Sequence, residues 1–282
     1  MDLNMLPKPA DTIIKEFVQQ ISKIEQFLIE GIYLTGSIGL SDFHSNKSDI
    51  DFLIFCRDLP DDKIALKLKF IHQKIAKQYP KPDLSGSYLT LESIKSDNTA
   101  TAKILSWHQN VMRYREFEMS VISLSELKLN ALTIFGQQAE DLPIEIDQDE
   151  LNKFLYHNIN SYWRKWINQH STFFNRKLLL LFFPRFTEWS VLGAGRQLCT
   201  LQTGKIVSKT EAGYYCLKHL PSQFHPVIQE AIQIRKDNRT YPLVRSYLIK
   251  PSFDRLEQTI QCVNYIIDTF NATYKLHQPQ IT

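Results

Sequence analysis

The sequence predicts an α+β fold in two parts, a small sheet flanked by helices followed by an all-helical half. Three observations predict it. Residues 31–35 and 52–55 are short β-branched and aromatic runs on either side of a polar connection, which is the pattern of paired strands. Residues 140–150, EDLPIEIDQDE, are acidic, contain Pro143 and lack a long apolar pattern, which reads as a linker. Beyond them the apolar residues recur at helical spacing to the end of the chain. The expected domains are therefore 1–142 and 150–282.

Taken in order, Asp11 caps a helix over 11–29 whose apolar positions Ile14, Phe17, Val18, Ile21, Ile24 and Leu28 form one face. It leads into the first strand, which stops at Gly36-Ser37. The second strand opens on Asp49-Ile50-Asp51, and alternation puts the two carboxylates on one face while Ile50 turns into the core. Like charges held that close repel unless a cation lies between them or one is protonated. Magnesium suits such a pair, because it binds through one or two carboxylates plus substrate phosphates. Gly36 lets a phosphate approach the backbone, and the Ser37 amide and hydroxyl can donate to it. The same residues also fit an ordinary turn and a solvated strand edge.

Asp61 or Asp62 caps a second helix to about residue 79, with Ile64, Leu68, Ile71 and Ile75 inward and its lysines solvated. Pro80-Lys81-Pro82 ends it, and 83–91 reads as a further strand. Within 107–137 the reading is a strand over 118–122, a short helix capped by Ser123 or Ser125, and an Ile-Phe-Gly turn. Glu116 and Glu118 beside Arg113 and Arg115 read as surface ion pairs. In the second half the predicted helices are 150–169, 173–183, 186–202, 208–219, 222–236 and 252–274, punctuated by Pro184, Gly204, Pro221 and Pro251. A helical domain beside an α/β one makes a cleft, the usual place for a small-molecule site.

Composition bounds the partners. The 282 residues carry a net charge of +3 without a concentrated basic stripe, which argues against wrapping a nucleic acid. The four cysteines are scattered and read as reduced thiols. Polar residues from Lys15 to Lys23 break any signal-peptide pattern, and no apolar run reaches membrane-span length. The expected location is cytoplasmic.

Gly36-Ser37 followed by Ser48-Asp49-Ile50-Asp51 resembles the signature of the nucleotidyltransferases related to DNA polymerase β. Gly195-Arg196 through Thr203-Gly204-Lys205-Ile206 to Ser208-Lys209, then Leu220-Pro221, resembles the helical C-terminal domain of the aminoglycoside (3'')(9) adenylyltransferases. The resemblance spans most of the chain. It implies a nucleotidyltransferase domain on a small mixed sheet flanked by helices, then the helical domain, in a monomer. It implies transfer of AMP from ATP to a hydroxyl of a small acceptor, with an aminoglycoside or aminocyclitol antibiotic among the candidates, and release of pyrophosphate.

Carried over by position, the resemblance implies that Asp49 and Asp51 hold Mg2+, two ions in all, and that Gly36 and Ser37 grip phosphate. Arg196, Lys209 and, as a lesser candidate, Lys205 would meet the triphosphate. Superfamily members that act on a hydroxyl carry a third carboxylate on a neighbouring strand. Here Ser85 stands at the expected place, so Asp83, two residues earlier, is the candidate, with Glu92 at the far end of the strand a lesser one; Asp83 also fits a solvated strand entrance. Glu188 and Trp189 are the acceptor-binding candidates, with Trp163 or Trp166 able to stack, and the same aromatics also fit a hydrophobic core. Two other readings stay open: a nucleotide-binding regulatory module with little transfer, and adenylylation of a macromolecule.

Overall fold

The computed structural model of the chain describes residues 6–94, 102–117, 119–170, 184–236 and 253–277. Two compact units divide it, Met1–Ile146 and Asp147–Thr282. The first is a six-stranded sheet in the order β5-β4-β3-β2-β1-β6. Its strands are β1 (Ile29–Thr35), β2 (Ile50–Cys56), β3 (Leu84–Leu89), β4 (Ala102–His108), β5 (Val111–Phe117) and β6 (Leu132–Phe135). The sheet is mixed: β2 and β3 run parallel, joined through a helix, and the other neighbours are antiparallel.

Helices α1 (Ala10–Ile21) and α3 (Asp62–Gln78) cover one face, where Ile13, Phe17, Leu68 and Ile75 pack on Leu34, Phe52, Ile54 and Tyr88. On the other face α4 (Val121–Asn130) and the segment after β6 bury Leu127 and Leu142 against Tyr33, Phe55 and Leu89. Consecutive residues therefore enter different cores, Leu34 one and Tyr33 the other, as the pleat requires. The short helix α2 (Gly36–Gly39) connects β1 to the loop before β2.

Two expected elements fall elsewhere. The first helix ends at Ile21 rather than running to residue 29. The Ser22 hydroxyl bonds back to the Gln19 carbonyl at 3.1 Å, and Gln26 adopts a left-handed φ of 65° that no helix accommodates. Ile24 and Phe27 are still buried, from a turn. The strand expected over 118–122 lies earlier, as β5. Gln109 and Asn110, at φ 50° and 61°, make the two-residue reversal from β4 that strand twist favours. Ser120, not Ser123 or Ser125, caps the following helix.

The second unit is all-helical: α5 (Gln148–Asn158), a π-helical turn (Ile159–Trp163), α6 (Arg164–His170), α7 (Pro184–Thr203), α8 (Lys209–His219), α9 (His225–Lys236) and α10 (Phe253–His277). The helix expected over 173–183 lies outside the described residues. The central α7 packs on α8, α9 and α10, burying Val191, Leu192, Ala194, Leu198 and Leu201. The Arg164–Asp268 ion pair at 2.6 Å ties α6 to α10. Among the described residues no helix is long and apolar enough to cross a membrane.

Candidate active site

In the first unit the end of the central hairpin sets the geometry. Thr35 of β1 and Ser85 of β3 are the register partners of Asp51 on its two sides. Ile50 is fully buried in the core under α1 and α3, so Asp51 faces the other side, with the exposed Asp49 two residues earlier. Gly36 takes a left-handed φ of 60°, and a Cβ there would overlap the Asp51 carboxylate. Only glycine fits both demands. Ser37 opens the short helix beside it; its Oγ is buried and has no hydrogen-bond partner among the described residues.

Burial lifts the Asp51 carboxyl to about 7, with the charges of Asp49 and then Glu126 pushing the same way. The sequence reading missed Glu126. It sits half-buried on α4, which packs on β1 and α2, and nothing local to its segment signals that approach. The fold thus gathers carboxylates around Asp51, beside a buried hydroxyl that has no acceptor among the described residues.

Asp83 lies at the mouth of β3. Its carbonyl accepts from the Ile50 amide at 2.7 Å, which sets the β2–β3 register, while its half-exposed carboxylate pairs with Lys81 Nζ at 2.7 Å. Among the described residues no group of three or more His, Cys, Asp or Glu side chains could by itself hold a metal ion.

The second unit brings Glu188 and Lys209 together. Glu188, 4% exposed, accepts from Lys209 Nζ at 3.2 Å and lies 3.9 Å from Arg235 Nη1. Lys209 opens α8 behind the Ser208 cap, whose side chain exchanges hydrogen bonds with Glu211 in a capping box. Burial lowers the Lys209 pKa most; Glu188 opposes that, and Arg235 and Arg196 add to it. Gly204, at φ 68°, ends α7 with its amide on the Thr200 carbonyl at 2.8 Å, and leaves Lys205 exposed. Trp189 is half-buried against Trp163 and Trp166, at ring distances of 4.8 and 5.3 Å.

Comparison with known proteins agrees with this architecture. Residues 12–111 match the family model for the nucleotidyltransferase domain, and residues 183–246 match that for the aminoglycoside adenylyltransferase C-terminal domain. No curated protein sequence matches. The crystal structure of spectinomycin adenyltransferase AAD(9) from Enterococcus faecialis with ATP and spectinomycin superposes at a TM-score of 0.60 with 17% identity, over 92% of this chain and 97% of that one. The STING-associated CdnE c-di-GMP synthase from Capnocytophaga granulosa aligns over 96% and 85% with 12% identity, at a TM-score of 0.27 too low to bear on the fold. With one domain of each kind in that order along a single polypeptide, the chain is an aminoglycoside adenylyltransferase-like nucleotidyltransferase.

Proposed function

We propose that the protein transfers AMP from ATP to a hydroxyl of a small, cationic acceptor and releases pyrophosphate. An aminoglycoside or aminocyclitol is the acceptor class, by likeness to the enzyme solved with spectinomycin. The observation that carries the reading is the pairing of a buried, unpartnered Ser37 hydroxyl with the crowded carboxylates of Asp49 and Asp51. The hydroxyl can donate to an anion, and like charges held close favour a cation between them; a magnesium-bound phosphate supplies both. Asp49 and Asp51 would hold the ions, which when bound neutralise phosphate charge and favour departure of pyrophosphate.

In this scheme the acceptor oxygen attacks the α-phosphorus, the bond to the bridging oxygen of the β-phosphate breaks, and pyrophosphate leaves with that electron pair. Ser37 donates to phosphate oxygen. Asp83 takes the acceptor proton and passes it to water, its exposed pairing with Lys81 being cheap to break. Arg196 and Lys209, with Lys205 beside them in sequence, take up triphosphate charge the metals leave. The protein acts as a monomer in the cytoplasm, without nucleic acid.

One observation favours a second reading, a nucleotide binder with little transfer: the β3 residue in register with Asp51 is Ser85, not a carboxylate. Pyrophosphate release from each nucleoside triphosphate with magnesium, against a panel of aminoglycosides and spectinomycin, separates the two. Release that depends on an acceptor and vanishes in Asp49→Asn is expected. ATP binding without release under any acceptor would leave the second reading.

A further inference from the structure

We propose that Glu188 is a positioning residue for the nucleotide, holding Lys209 in place as an ammonium ion, together with Arg235, to meet its phosphates. The inference rests on the nucleotide reading above and gives Glu188 a task other than binding the acceptor.

The geometry carries it. Glu188 is all but excluded from water on α7, and cations from two other helices converge on its carboxylate: Lys209 of α8 at 3.2 Å and Arg235 of α9 at 3.9 Å. A buried carboxylate requires such partners, and Arg235 alone would be one. Lys209, the nearer of the two, stands where its own helix does not favour it. It is the first residue of α8, where the helix dipole disfavours a cation.

The charged groups around its ammonium are Glu188 and Arg196 from α7 and Arg235 from α9, with burial the largest influence on it. On its own helix the nearest carboxylate, Glu211, accepts from the Ser208 amide at 3.0 Å. Burial, the dipole and two guanidinium groups all press Lys209 to give up its proton; Glu188 is the group that opposes them. Its side chain keeps 25% exposure, so the ammonium is anchored without being sealed from a ligand. A lysine held charged against that opposition, among arginines, presents an anion-binding surface rather than a structural bridge.

The test uses the full chain and two readouts. The first is the titration of Lys209 followed by 13C NMR of ε-labelled lysines without ligand, the resonance assigned with Lys209→Arg. The second is the affinity for magnesium–ATP across about pH 7 to 9. In Glu188→Gln the Lys209 midpoint should fall by about one unit or more. ATP affinity in that variant should drop about threefold near neutrality and further as pH rises, as the ammonium is lost. Wild-type affinity should stay flat over the same range. Glu188→Asp, which keeps the charge, should restore the flat profile, and it carries the test if the glutamine variant does not fold.

An unmoved midpoint overturns the inference, as does a moved midpoint with unchanged ATP affinity. Wild-type protein that binds no ATP sinks the nucleotide reading itself. The hold of Glu188 on Lys209 then stands or falls on the midpoint alone.

Discussion

Asp51 and His72 lie in the same unit, and burial moves their proton affinities in opposite senses. The His72 ring is 1% exposed, stacked between Phe52 and Trp107, with Nε2 2.7 Å from the Tyr88 hydroxyl and Nδ1 buried without a hydrogen-bond partner among the described residues. Desolvation pushes its pKa from 6.5 down to about 3. Below 6.5 the unfolded chain takes a proton the native one refuses, so this contribution is present above 6.5 and is lost as pH falls toward 3. Asp51 works the other way: the native carboxyl keeps its proton to about 7, while the unfolded one loses it near 3.8. Its contribution is present below 3.8 and lost as pH rises through 7. Each slope is about 1.4 kcal/mol per pH unit between its two values, and between about pH 4 and 6.5 they oppose. In EDTA, melts of Asp51→Asn should therefore show stability rising with pH across that window. The double variant His72→Phe, Tyr88→Phe should show it falling. Flat profiles in both would contradict the two assignments.

The first turn of α8 shows what local sequence encodes and what it does not. Ser208-Lys209-Thr210-Glu211 is a capping box legible in the sequence, because both of its bonds close within four residues. Removing it in Ser208→Ala should cost about 1 kcal/mol. It should also weaken ATP binding, because Lys209 is the next residue and loses its fixed start; calorimetric melts and ATP titrations check the two effects. A lower melt with full ATP affinity would mean that the side-chain contact with Glu188 suffices to hold Lys209. The strands around the Asp pair, α3 and the helical second half were legible for the same local reason. The β4–β5 reversal was not, since Gln109-Asn110 lacks the glycine that usually marks such a turn, and the predicted strand slipped past it. The neighbours that define the site were also hidden. Glu126 beside Asp51 and Arg235 beside Glu188 are each set by packing between distant segments.

Across the whole molecule the net charge of +3 conceals a sorting by sign. The first unit gathers Asp49, Asp51 and Glu126, and the second gathers Arg196, Lys209 and Arg235. Burial and like-charged neighbours disfavour the charged form of one member of each, Asp51 in the first and Lys209 in the second. Under the proposed function the first meets magnesium and the second meets phosphate. Stability and binding should then part company in Lys209→Met, whose side chain fills a similar space without the charge and leaves Glu188 its contact with Arg235. Without ligand this variant should melt no lower than wild type, having lost an ammonium that burial, Arg235 and Arg196 all disfavour. A ligand that binds only the native state stabilises it by about 2.7 kcal/mol at a hundred times its Kd. The variant should lose most of that rise with ATP and magnesium. Thermal melts with and without the nucleotide decide it: a ligand-free melt well below wild type would make Lys209 a structural residue, and an undiminished rise would remove it from the nucleotide site.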